Sequence, residues 1–389
     1  MTLNASSLPA SCRAGVGVRI CADSLHVGDG VTLEDNVTIV GGAVEIGKGT
    51  HIGRATDLRA AELRLGERSE IGEEVSVLVA ERFEVQAAAR IAVGCRIVCR
   101  SFTAGRLLYL GDGASVGFGG TTTSTAHIRL GSRVTIGQFA ILNANMPIEV
   151  GDNVGTGSYL SIWTHGYHFG HGPLNGTQPA YAPVRVGRNV WLGFQVTILP
   201  GASIGDDSMI AAGAVVSSDI PPKVLAGGVP AKVKKTIDVS PVSDEIAFES
   251  VAHVLRTWHR ELLWKGCKVS SEVDGPDGVI LRASTEDGTD RILVQLTRAI
   301  PVGPLAISGE PLVLLNASEQ EYQGVVQPLE TVFDLRLGQI RGRRSVLIED
   351  LRDQLRRNAM PCGDDSCFVA IEPEPFARLR AALPAVKGR

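Results

Sequence analysis

Aromatic residues are scarce in this chain of 389: four Trp, five Tyr and ten Phe make up 5% of it. With so few large rings, the interior must be filled by aliphatic side chains, which suits a narrow core of stacked β-branched residues. Long apolar runs are also missing. No stretch reaches the roughly 18 consecutive apolar residues that read as a membrane span, so none is expected. The opening MTLNASSLPASCRAG has neither the basic nor the apolar region of a secretory signal. The seven cysteines (Cys12, Cys21, Cys95, Cys99, Cys267, Cys362 and Cys367) are odd in number and scattered. That excludes a disulfide framework and suits a reduced, cytoplasmic setting. Neither close pair, Cys95/Cys99 or Cys362/Cys367, has the second pair and nearby histidines of a zinc site, so no metal is expected. An excess of either charge is absent too: 38 basic against 42 acidic residues leave a net charge of −4. No nucleic-acid or anionic-membrane surface follows from that balance.

Glycine, by contrast, is plentiful, with 45 residues. The most regular stretch is 184–216, VRVGRNVWLGFQVTILPGASIGDDSMIAAGAVV. Here Val186, Leu192, Ile198, Ile204, Ile210 and Val216 fall at every sixth position. A period of six is neither helical nor a simple strand alternation, and it marks a parallel β-helix of short strands and tight corners. Aliphatic–Gly pairs carry the beat back through Val27-Gly28, Ile46-Gly47, Leu65-Gly66, Val93-Gly94, Leu110-Gly111, Leu130-Gly131 and Val150-Gly151. Most spacings are 17 to 20 residues, one triangular coil, but the gap from Gly66 to Gly94 is 28 and that from Gly151 to Gly187 is 36. The first gap reads as irregular register. The second is one coil plus an excursion over about 165–182.

The pattern breaks at Ser217-Ser218-Asp219-Ile220-Pro221-Pro222, where consecutive prolines cannot join a ladder. The segment DIPPKVLAGGVPAKVKK after NVWLG, ILPG and AAGAVV resembles the end of the hexapeptide-repeat acyltransferases, a family that includes maltose, galactoside and polysaccharide O-acetyltransferases. The resemblance is strong over 130–237 and rests on the repeat alone over 20–130. It implies an all-β left-handed parallel β-helix over 1–237. It also implies a homotrimer, acetyl-CoA as acyl donor between neighbouring subunits, and a hydroxyl on a sugar or surface-glycan precursor as acceptor, hence a place in polysaccharide biosynthesis.

The same resemblance assigns residues. Three of the eight histidines lie in the excursion: His165, His168 and His171. The family places its general base where coil meets loop, often as Thr-His-x-His or Thr-x-x-His. Here the second histidine is displaced by one, with Tyr167 between, so His165 and His168 both remain candidates. His165 is favoured for its place on the coil edge, and His171 is read as incidental. An imidazole of pKa near 6.5 can take the proton of a hydroxyl as it attacks a thioester. A metal site of the γ-class carbonic anhydrase type is set aside, because His127 lies too far upstream of the crowded loop histidines. Asn143, Asn145, Trp163 and Tyr167 are candidates for the acceptor. Trp191, Gly193, Ala211, Ala212 and Gly213 are candidates for a wall along the pantetheine arm, with Lys232 and Lys234 for the 3′-phosphate of CoA. Two other functions stay open: N-acetylation of an amino sugar or nucleotide sugar, and a non-catalytic trimeric scaffold.

Residues 240–389 follow a different pattern, read as a smaller α+β domain of unknown role and a possible dock for a glycan-assembly partner. The spacing predicts an amphipathic helix over 244–265, with Ile246, Val251, Val254, Leu255, Trp258, Leu262 and Leu263 as its apolar stripe. Strands are expected in GVILRAS, DRILVQLT, PLVLLNA and ETVFDLRL, and a second helix over 345–358.

Overall fold

The computed structural model describes residues 2–3, 8–120, 123–275, 278–297, 312–315, 331–335, 338–342, 344–363, 371–376 and 378. The chain divides into two compact units, Met1–Val239 and Ser240–Arg389.

The first unit is a parallel solenoid with three faces, each built by stacking one short strand per coil. On the first face the inward side chains form the ladder Ile20, Ile39, Leu58, Val77, Ile97, Val116, Leu142, Ile162, Ile198, Val216. The second face stacks Val27, Ile46, Leu65 and Val85, then Ala104, Leu130, Val150, Val186 and Ile204. The third runs from Leu33 through Ile52, Ile71, Ile91, Leu110 and Ile136, and on through Leu192 to Ile210. Most of these side chains are fully buried, so each coil alone would leave its apolar interior wet and only the stack closes it.

Two corners of every coil pass through left-handed backbone. From third face to first, Asn36, Ala55, Glu74, Phe139, Tyr159 and Gln195 have φ between 55° and 60°. That conformation is costly for residues with a Cβ. It is held by a hydrogen bond to the coil before: Asn36 N–H donates to Val16 at 2.8 Å, Ala55 N–H to Asp35 at 2.9 Å. The aliphatic–Gly pair belongs to the second-to-third corner. A Cβ on Gly66 would sit 2.3 Å from the backbone nitrogen of Ala87. The spacing of 28 dissolves in this register. Val93-Gly94 and Leu110-Gly111 lie at other places in their coils, and Leu65 is followed on its ladder by Val85, so residues 66–94 stack regularly. Corners differ in sequence but not in coil length, and the sequence pattern had merged them. One coil the pattern missed is longer: Ser101 and His127 are partners 26 residues apart, and the extra chain includes the turn Phe118–Gly120.

In the second unit, helix α1 (Asp244–Trp264) starts on Ser243, whose Oγ accepts the N–H of Ile246. It buries Phe248, Val251, Ala252, Val254, Leu255, Trp258 and Leu262. Ile246 and Leu263, expected in the stripe, are exposed, and Phe248 takes a core place instead. Lys268–Gly275, Gly278–Ser284 and Arg291–Thr297 form an antiparallel sheet that Leu312–Leu315 joins in parallel. Thr331–Asp334 pairs with Gln339–Gly342, and helix α2 spans Val346–Arg357. Cys367 lies outside the described residues. Among the described residues no helix is long and apolar enough to cross a membrane.

Candidate active site

The chain leaves the solenoid after Ser161–Trp163 on the first face and returns at Val184–Val186 on the second. The root of this excursion is a small antiparallel pair in which His165 faces Tyr181 and Gly166 faces Ala180. Thr164 fastens it. Its side chain is fully buried. The Oγ1 accepts the N–H groups of Asn145 at 2.7 Å and Met146 at 3.1 Å, and donates to the Asn143 carbonyl at 3.1 Å. The Thr164 carbonyl takes the N–H of Ala182 at 3.0 Å, which ties down the returning strand. From the coil below, the hydroxyls of Thr123 and Thr125 both donate to the Asn145 carbonyl, at 3.2 and 2.6 Å. The shorter excursion at Phe118–Gly120 leaves from the same corner, so two insertions bracket one coil that carries Asn143 and Asn145.

His165 sits in an aromatic setting. Its ring centroid is 6.0 Å from that of Trp163 and 6.2 Å from those of Tyr167 and Tyr181, the two tyrosine planes lying within 19° of its own. Its Nδ1 is buried without a hydrogen-bond partner, as are Oδ1 of Asn143 and Oδ1 of Asn145. Buried polar atoms nearly always find partners, so three such atoms side by side leave room for a water or a ligand group to complete them. The two amide oxygens abut Gly119: a Cβ there would stand 1.7 Å from Asn143 Oδ1 and 2.5 Å from Asn145 Oδ1. Asn143, Asn145, Trp163, His165 and Tyr167 therefore meet at one corner. Gly119 and Tyr181 join them, although no sequence signal pointed to either.

His168 lies further out on the excursion. Its Nδ1 accepts the N–H groups of Gly170 at 3.2 Å and His171 at 3.1 Å, and its ring lies 4.7 Å from that of His171. A neutral imidazole that accepts at Nδ1 carries its proton on Nε2. His168 is thus arranged as a donor from its free nitrogen. Among the described residues no three His, Cys, Asp or Glu side chains gather as a metal set.

The candidate cofactor residues occupy a different corner, from third face to first. Trp191 is half-exposed on the third face leading into that corner, and its ring covers Gly155. Ala211, Ala212 and Gly213 are exposed. Gly193 is not: it is buried, and a Cβ on it would meet the Ala212 backbone nitrogen at 2.5 Å. Its small size serves the stacking of coils rather than a bare surface. Lys232 and Lys234 lie on an exposed strand, Lys232–Thr236. Half-exposed Phe139, Tyr159 and Phe194 line the same corner, with Phe139 stacked on Tyr159 at 5.4 Å and Tyr159 edge-on to Phe194 at 5.7 Å. Within one chain the first face separates this corner from His165.

Residues 183–218 match the family described as bacterial transferase hexapeptide (six repeats). The galactoside O-acetyltransferase of Escherichia coli (strain K12) is 34% identical over 131 residues, 32% of this chain and 64% of that protein. A protein of Mycobacterium tuberculosis named a probable acetyltransferase is 32% identical over 145 residues, 35% of this chain and 44% of that protein. A solved maltose O-acetyltransferase from Clostridium difficile 630 aligns at 28% identity with a TM-score of 0.24, over 41% of this chain and 69% of the other. The chain spans less than two thirds of the length of the two curated relatives. In sequence it is similar to hexapeptide-repeat O-acetyltransferases.

Proposed function

We propose that this chain, which carries the bacterial transferase hexapeptide repeat, is an acetyl-CoA-dependent O-acetyltransferase acting on a sugar or glycan hydroxyl in the cytoplasm, with His165 as general base. The observation that carries the reading is the set of three buried, unpartnered polar atoms at one corner, on His165, Asn143 and Asn145. Asn143 and Asn145 orient the acceptor, Trp163, Tyr167 and Tyr181 wall it, and His165 takes its hydroxyl proton as the oxygen attacks. The thioester supplies the activated acyl carbon and a thiolate leaving group. The imidazolium then returns its proton to that thiolate, so no group on the protein is acylated.

The corner at Ala211, Ala212 and Gly213 fits a long, narrow donor, because no long side chain covers it and Trp191 flanks it. Lys232 and Lys234 are exposed on the strand paired with Val224–Gly227, whose Gly227 abuts Ala211, and offer cations to phosphate. A donor on that corner reaches a base on the other only from a neighbouring prism. The half-exposed aromatic row of Phe139, Tyr159 and Phe194 suits such packing, and the coil is left-handed and trimeric in this reading.

The test is free-thiol release from acetyl-CoA over a panel of sugars, amino sugars and nucleotide sugars. Wild type should turn over with hydroxyl acceptors. His165→Ala should lose about 10²–10⁴-fold in kcat, and His168→Ala less than about tenfold. Turnover with amino sugars only would move the reading to N-acetylation. No CoA binding and no release with any acceptor would leave a scaffold.

A further inference from the structure

On the second face, inward and outward side chains alternate, so Phe83, Phe102, Ile128 and Ile148 stack inside while their neighbours point outward. Outward side chains are long on most coils: Arg82 and Glu84 on one, His127 and Arg129 two coils later. The coil between presents only Ser101 and Thr103. This drop in side-chain length makes a depression of about 670 Å³, with Ser101 and Thr103 as its floor and Arg82, His127, Arg129 and Glu149 among its walls. Small-molecule sites have volumes in this range.

The walls are pre-set. Arg82 is held by Glu62 at 3.1 Å, and Arg129 by Glu149 at 3.3 Å. His127 Nδ1 lies 2.6 Å from Ser101 Oγ, which fixes the ring and leaves Nε2 free to bond. Two guanidiniums, three carboxylates (Glu62, Glu81 and Glu149), an imidazole and two hydroxyls line one depression, so donors and acceptors are both on offer. The carboxylates oppose a polyanion such as a phosphate chain, and the arginines oppose a polycation. A neutral polyol, whose hydroxyls both donate and accept, satisfies all of them.

The depression also lies on the route to His165. The second-face ladder passes from Ile128 through Ile148 to Val184, where the histidine excursion re-enters. Two spacings of ~4.8 Å put the His127 coil about 10 Å below that point. We propose that this groove is a subsite for the non-reacting sugars of an oligosaccharide acceptor, so that the protein recognises a glycan chain rather than a free monosaccharide. The link to His165 rests on the catalytic reading above; the saccharide site itself does not.

The outward position of Thr103 permits a groove-filling Thr103→Trp without touching the core. Two measurements are needed. The first is binding of the full-length protein, without donor, to an array of defined di- to hexasaccharides with their monosaccharides as controls. Wild type and His165→Ala should both retain longer chains, and Thr103→Trp should lose them by about tenfold or more, with Thr103→Ser close to wild type. The second is the ratio of kcat/KM for chain over monosaccharide acceptors, which should fall by about tenfold in Thr103→Trp. Thr103-dependent chain binding without acetyl transfer to any acceptor would keep the subsite and sink the catalytic reading. Equal turnover of chains and monosaccharides, or chain binding indifferent to Thr103→Trp, would overturn the subsite.

Discussion

Replacing Thr164 by Val removes one hydroxyl from a fully buried position and changes almost nothing in volume. The hydroxyl serves three groups. The Asn143 carbonyl keeps another donor, the Thr164 N–H at 3.2 Å. The N–H groups of Asn145 and Met146 lose the acceptor they have at 2.7 and 3.1 Å. A stranded buried N–H costs roughly 1–3 kcal/mol, so the pair costs about 2–6 kcal/mol. Solenoid coils contact mainly their neighbours, and the loss therefore appears as local opening where the coil of Asn143 and Asn145 meets the next one, which leads into His165. Hydrogen exchange followed by mass spectrometry on peptides covering 141–166 reads it directly. Since 1.4 kcal/mol is tenfold, protection there should fall by about 25-fold or more, while the ladder below 100 keeps its protection. Turnover should collapse in parallel, and Thr164→Ser should restore both. Unchanged exchange in Thr164→Val, or a Thr164→Ser protein no better than it, would refute the role of this hydroxyl.

Gly119→Ala should raise the acceptor KM by about tenfold or more with CoA binding intact, because its Cβ would occupy a point 1.7 Å from Asn143 Oδ1; isothermal titration with CoA and acceptor kinetics separate the two effects. In the second unit, the Asp350 carboxylate is buried and accepts from Lys265 Nζ at 2.6 Å, Trp258 Nε1 at 3.0 Å and the Ile371 N–H at 2.7 Å. Lys265→Met strands that charge and should cost about 3–5 kcal/mol in urea unfolding of this unit, most of which Lys265→Met combined with Asp350→Asn should recover. Burial holds the Cys99 and Cys362 thiols up at about 12 and Cys95 at about 11, against an ordinary 9.0. The unfolded chain ionises them first, so their contribution to stability is complete below about pH 9 and is lost as pH rises from there toward 11–12. Urea midpoints should therefore fall between about pH 8 and pH 10, and Cys99→Ala should flatten that slope.

The inward side chains were readable without coordinates. Val186, Leu192, Ile198, Ile204, Ile210 and Val216 announce themselves because each occupies the same place in a repeating unit, and the stacked core accepts only aliphatic residues there. His165 was readable for a related reason, since it stands where the beat stops and the excursion begins. Gly119, Thr164 and Tyr181 were not. Each matters through a partner one coil away or across the excursion, and the separations of 16 to 26 residues follow no fixed interval, because coils differ in length. The corner occupied by Gly94 was misassigned for a different reason: an aliphatic–Gly pair occurs at more than one corner of a coil, so the pair alone does not say which corner it marks.

The sequence by itself determined that the first 240 or so residues form a β-helix with one long excursion, because a six-residue aliphatic period is a local property that only this kind of stack satisfies. It also led to the expectation of a second unit from about residue 240, since periodicity changes there from six to helical. Only the tertiary structure decided which residues share a corner. Two excursions bracketing Asn143 and Asn145, the separation of His165 from the exposed corner at Ala211–Gly213, and the hydroxyl-floored groove at Ser101 and Thr103 all depend on register between coils. Register is set by the sum of every corner and insertion before it, and that sum exists only once the chain has closed its hydrogen bonds turn upon turn.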